Sequence, residues 1–167
     1  RIPPEKICYA LNERLPADIV IQESCQVRPD FHPRKCSSRK TYEYRSLNRR
    51  FQNPLDRLYS YFVYVPLDIE AMRQAAAYLV GEHDFASFCS AGSQAATTVR
   101  TLYEVTLQKE GDRITLRLCG NGFLYNMVRI IAGTLIKVGM HVYPPEHVPE
   151  ILAAKDRRAA GPKAPAL

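Results

Sequence analysis

The amino-acid sequence predicts an α+β fold, an antiparallel sheet covered by helices. Three observations carry that expectation. Residues 98–109 and 113–119 alternate apolar and polar side chains about Glu110-Gly111-Asp112, as the two arms of a hairpin would. Residues 69–80 and 123–136 have the composition of helices, the first Ala-rich and the second apolar around nearly its whole circumference. Helices and strands alternate without the spacing that parallel crossovers require.

Along the chain, Pro3-Pro4-Glu5 opens a helical pattern with Ile7, Cys8, Leu11 and Leu15 on one face, ended by Pro16. Ile19-Val20-Ile21 and Cys25-Gln26-Val27 read as a strand leading to Pro29 and Pro33. Residues 40–47 set Tyr42 and Tyr44 against Thr41, Glu43 and Arg45, the alternation of a half-buried strand. A further aromatic strand covers 58–65. Asp68 is the expected N-cap of the helix over 69–80, with Gly81 where it stops. Residues 84–88 read as irregular and semi-buried, and 90–98 as a loop. After the hairpin come the apolar helix from Phe123 and a last helix over 146–155, started by Pro144-Pro145.

Composition narrows the class. Of the 167 residues, 46% are hydrophobic and 24% charged, which fits a folded globular chain rather than a disordered one. No apolar run reaches the length of a membrane span, and Arg1-Ile2-Pro3-Pro4 does not read as a signal peptide. The first residue is not methionine and the last is a bare Leu167, so both ends read as cut. Five cysteines stand singly, without the spacing of a zinc site, which points to reduced thiols in a cytoplasmic protein.

The net charge of +6 favours a polyanionic partner. Arg28, Arg34, Lys35, Arg39, Lys40, Arg45, Arg49 and Arg50 crowd one region that holds only Asp30 and Glu43. With Tyr42, Tyr44 and Phe51 among these charges, RNA contact stands ahead of the alternative, a solvated face.

Arg129 is the other marked residue. It lies in FLYNMVRIIAGTLI, and no Asp or Glu occurs between Asp112 and Glu146, so no helical neighbour can pair with it. A guanidinium keeps its proton and is rarely buried without a partner. That partner comes from a distant part of the chain, from another molecule, or from a segment outside these residues. The alternative is an arginine at a helix edge reaching water.

Four motifs in register resemble the tRNA pseudouridine synthase A (TruA) family. They are Phe31-His32-Pro33-Arg34 with Arg39-Lys40-Thr41-Tyr42-Glu43-Tyr44, Gly81-Glu82-His83-Asp84-Phe85-Ala86-Ser87-Phe88, Asn121 through Arg129, and Ala153-Ala154-Lys155-Asp156-Arg157. The resemblance spans residues 7–167. It implies the ferredoxin-like half of a pseudouridine synthase fold, with residues 1–167 as a single C-terminal subdomain. The family's Gly-Arg-Thr-Asp-Ala-Gly-Val-His motif, which carries the nucleophilic aspartate, has no counterpart here. None of the seven aspartates stands in that context. The family's closing Gly-Leu-x-Leu strand, expected just after Ala166, is missing too.

The resemblance also implies a chemistry. Such enzymes break the N1–C1′ bond of a uridine, turn the uracil and rejoin it through C5, with no metal or redox cofactor. The target is uridines thirty-eight to forty of the tRNA anticodon stem-loop, flipped out of the stack, and the enzyme is a homodimer. Arg129 carries over as the cationic partner of the aspartate, and Tyr42 as the residue stacking on the base. Leu124 carries over as part of the apolar wall under the uracil, although core packing alone would also explain it. Tyr44 is the better candidate for a core tyrosine, on the same face as Tyr42. Arg34, Arg39 and Arg45 are expected on phosphates. Without the aspartate, Arg129 should reach toward the Tyr42 cleft and find water, a backbone carbonyl or an anion. The chain alone is expected to be inactive. The rival reading is a non-catalytic RNA-binding α+β module. A structural domain with no RNA role is disfavoured by the clustered basic residues among aromatics.

Overall fold

The computed structural model describes residues 2–33 and 39–166. They fall into two compact units, Arg1–Ser37 and Ser38–Leu167.

In the first unit a 3-10 turn, Pro4–Lys6, runs into the short helix α1, Ile7–Asn12. The strand expected over 19–27 does not form. Side chains take the backbone partners a neighbouring strand would have supplied. The Asn12 amide brackets Ile21, donating to its carbonyl at 2.9 Å and accepting from its N–H at 2.8 Å. Ser24 accepts from the Cys8 N–H and donates to the Pro4 carbonyl. A strand pattern with no partner within reach stays an extended loop.

The second unit is α+β, as the sequence predicts. Its strands are β1 (Lys40–Asn48), β2 (Tyr61–Val63), β3 (Gly81–Asp84), β4 (Val99–Glu110) and β5 (Arg113–Gly120), in spatial order β2-β1-β5-β4-β3. The expected hairpin is β4–β5, and β5 continues antiparallel against β1. The short edge strand β2 departs from the antiparallel pattern and runs parallel to β1. Asn48, at the end of β1, accounts for this edge. Its buried amide donates to the carbonyls of Val63 and Val65 and accepts from the Leu67 N–H.

Two helices, α2 (Ile69–Ala77) and α3 (Met127–Gly139), lie over one sheet face and bury Tyr44, Val105, Leu107, Leu116 and Leu118 beneath Met72, Ile130 and Leu135. Asp68 caps α2 through the Ala71 N–H, as expected. Gly81 does not stop that helix. Tyr78 is its C-cap, and Gly81, at φ 111°, opens β3, which the sequence reading missed. The helix α4 (His147–Ala154) receives the buried Ser87 hydroxyl on its Ile151 carbonyl at 2.6 Å.

The apolar helix begins later than its composition suggests. Asn126 has φ 60°, a left-handed conformation that a right-handed helix cannot contain, so α3 starts at Met127. Residues 124–127 form a turn, closed by the Met127 N–H on the Leu124 carbonyl. This turn places the site.

Candidate active site

Arg129 lies in the first turn of α3, and Tyr42 lies on β1, whose core-facing side packs under that helix. The two line one open cavity of about 430 Å³, together with Tyr44, Leu124, Met127 and Pro165. Strand alternation puts Tyr42 and Tyr44 on one face, and burial separates them. Tyr42 is 51% exposed and Tyr44 only 7%. The Tyr42 ring meets Phe123 edge-on, with centroids 5.0 Å apart. The Phe123 contact thus braces the ring while half of the side chain stays exposed.

Tyr44 closes the inner wall. Its hydroxyl donates to the Pro165 carbonyl at 2.9 Å. Burial, reinforced by Tyr61, pushes its phenol up to about 12, and the nearby positive charge of Arg129 offsets part of that rise. Leu124 is 5% exposed and also lines the cavity, so its packing and pocket-wall readings are both met geometrically.

The Arg129 guanidinium is half-buried, and its acceptors are neutral. Nε donates to the Ala164 carbonyl at 2.7 Å and Nη1 to the Asn126 side-chain oxygen at 3.2 Å. Among the described residues it forms no ion pair. Other aspartates are engaged elsewhere: Asp56 with Arg113, Asp68 with Ala71 and His141, Asp84 with Thr98 and Lys155, Asp112 with Arg49, Asp156 with Arg158. The Thr98 hydroxyl and then Lys155 hold the Asp84 carboxyl below its ordinary range. Glu43, at the cavity rim, pairs with Arg45. Two neutral acceptors orient a guanidinium without cancelling its charge. The N-terminus of α3 adds positive potential beside it, so the cavity wall suits an anion.

Of the expected phosphate contacts, neither Arg39 nor Arg45 lines this cavity. Arg45, one residue from Tyr44 on a strand, belongs to the opposite sheet face. Arg39 stacks over Tyr103, 4.7 Å from the ring centroid. Arg34 lies outside the described residues. Asn126, expected along the helix edge with Arg129, does line this wall, while Phe123 and the segment 165–166 were not foreseen there. Phe123 follows from the turn before α3, which the apolar run hides. The last is a contact across more than a hundred residues, without local signal. No three His, Cys, Asp or Glu side chains among the described residues converge as metal ligands, and no described helix is long and apolar enough to cross a membrane.

Comparison with known proteins gives the family of the chain. A family model described as tRNA pseudouridine synthase matches residues 75–167. A tRNA pseudouridine synthase A of Thermoanaerobacter pseudethanolicus is 48% identical over 165 residues, covering 99% of this chain and 68% of the relative. The Moorella thermoacetica enzyme of the same name is 47% identical over 166 residues, covering 99% and 68%. That of Halalkalibacterium halodurans is 47% identical over 163 residues, covering 98% and 62%. The relatives thus extend beyond this chain by about a third of their own length. At this identity, over nearly every residue described, the chain belongs to the tRNA pseudouridine synthase family of isomerases.

Proposed function

We propose that this chain is the C-terminal part of a cytoplasmic enzyme that converts uridine to pseudouridine in the anticodon stem-loop of tRNA, at uridines thirty-eight to forty. The observation that carries the reading is Arg129, a charged guanidinium on the Tyr42 cavity with neutral acceptors only. An aspartate from outside these 167 residues completes the pair. Arg129 keeps that carboxylate ionised in the cavity, ready to act as nucleophile or proton-transfer agent. The exposed Tyr42 ring stacks on the flipped uracil, and Leu124 supports it from below.

Flipping costs a few kcal/mol by the usual unstacking estimate, which backbone contacts to the stem must offset. Arg34 and Arg39 are the basic residues we assign to those contacts. Arg45, which lies on the other sheet face and pairs with Glu43, is the weakest of the three candidates. The enzyme works as a homodimer without metal or redox cofactor. The 167-residue chain alone binds RNA but does not isomerise it.

Incubating the complete gene product with unmodified tRNA transcripts, then mapping pseudouridine by mass spectrometry, tests this. Product confined to the anticodon stem-loop is expected. Product only elsewhere, or none on any tRNA, contradicts it.

A further inference from the structure

Asn126 occupies a backbone conformation, φ 60° and ψ 10°, that glycine fills without strain and asparagine tolerates. What glycine would lack there is the side chain, and that side chain is engaged at both its oxygen and its nitrogen. Its amide offers an acceptor and donors in fixed relation. The Oδ1 accepts from Arg129 Nη1 at 3.2 Å, and Nδ2 donates to the Ser90 hydroxyl at 3.0 Å. A second bond, from the Ser90 N–H to the Tyr125 carbonyl at 3.0 Å, fastens the same two segments together.

Arginine can only donate, so the amide must turn its oxygen toward Arg129. The amide nitrogen then faces Ser90, whose hydroxyl accepts from it and secures that orientation. With Nε on the Ala164 carbonyl and Nη1 on Asn126, the guanidinium plane is fixed from two sides. Nη2 is the nitrogen without a protein acceptor among the described residues.

We infer that Asn126 is a positioning residue: its amide, oriented by Ser90, sets the plane of the Arg129 guanidinium so that Nη2 is left for the incoming carboxylate. This inference rests on the isomerase reading above. It also explains why the position holds a short amide and not a short acid. Aspartate tolerates the same backbone, but its carboxylate would pair with Arg129 from within the turn and compete with the nucleophile for it.

The test is steady-state kinetics of the complete protein on an unmodified tRNA, with three variants. Asn126→Gly keeps the backbone conformation and removes both side-chain bonds. It should lower kcat roughly tenfold while KM for tRNA stays within about twofold, because the lost interaction acts in the chemical step. Asn126→Asp should fall below Asn126→Gly in kcat, although it is closer to asparagine in shape. Ser90→Ala, which preserves the backbone bond to Tyr125, should lower kcat by less than Asn126→Gly does. If the unaltered protein forms no pseudouridine, the isomerase reading fails and this inference with it. If it is active, the inference alone is overturned by any of three results. These are Asn126→Gly with unchanged kcat, a rise in KM with kcat intact, or Asn126→Asp turning over as fast as Asn126→Gly or faster.

Discussion

A Cβ placed on Gly133 would lie 1.8 Å from the carbonyl oxygen of Pro162. The segment after Arg157 therefore presses directly on the backbone of α3. The contact is mutual, since a Cβ on Gly161 would lie 2.7 Å from Thr134 Cα, and the Gly161 N–H donates to the Thr134 hydroxyl at 3.0 Å. Further along, the Ala164 N–H donates to the Arg129 carbonyl, and its own carbonyl accepts from Arg129 Nε. Two glycines thus set the height at which the tail meets the helix, and the tail supplies an acceptor to the charged group.

Gly133→Ala should lower stability by about 2 kcal/mol or more, because the neighbour it strikes is backbone and cannot turn aside. Gly139→Ala is the control. It sits in the same helix, so the gain in helix propensity is shared, and its nearest neighbour is the flexible Met72 side chain. Urea denaturation of the two variants compares them. Equal stabilities would mean that the tail yields freely.

Arg129→Lys keeps the charge and loses the planar fork that holds Ala164 and Asn126 together. Pseudouridine formation by the complete protein should drop by roughly a hundredfold, the scale of losing one preorganised electrostatic contact. A lysine variant within a few-fold of the parent would show that charge alone suffices.

Tyr42→Phe should bind and turn over nearly as the parent does, since the ring and its edge contact with Phe123 remain. Tyr42→Ala removes the stacking surface. Its activity should fall roughly ten- to a hundredfold, as expected for one base–aromatic contact. The comparison to make is kcat/KM on one tRNA. A Tyr42→Phe variant as poor as Tyr42→Ala would assign the role to the hydroxyl instead.

Tyr44 gives a pH signature. Its folded value near 12 exceeds the ordinary 10, so the protonated phenol favours the fold. That contribution is complete below pH 10 and lost as pH rises toward 12, at most about 2–3 kcal/mol. Tyr44→Phe should be less stable at pH 8 by about 1 kcal/mol, from the lost bond to Pro165. The gap should close, then reverse, in denaturation curves measured upward from pH 10. A constant gap would remove the burial argument.

Much of this was legible in the sequence, where the signal was local. The β4–β5 hairpin, the Asp68 cap and the shared face of Tyr42 and Tyr44 follow from turn chemistry, capping and period-two alternation. The same rules failed where partners were distant or a single backbone angle decided the outcome. Residues 19–27 carry a strand's composition, but Asn12 and Ser24 take up their hydrogen bonds. Phe123 through Asn126 read as helix by hydrophobicity, yet Asn126 turns left-handed and starts α3 later. Arg129 was identifiable from the lack of a local carboxylate. A backbone carbonyl was among its expected acceptors, but not that it would be Ala164, because composition does not report which distant segment packs on a helix.

The central claim is that Arg129 awaits a carboxylate supplied from outside these residues. A crystal structure of the complete protein measures it directly, as the distance from the guanidinium to the nearest carboxylate oxygen. The account predicts an aspartate from outside residues 1–167 within ion-pair reach, about 4 Å or less, on the Tyr42 side of the cavity. Arg129 still held only by Ala164 and Asn126, or paired with one of the seven aspartates of this chain, would contradict it.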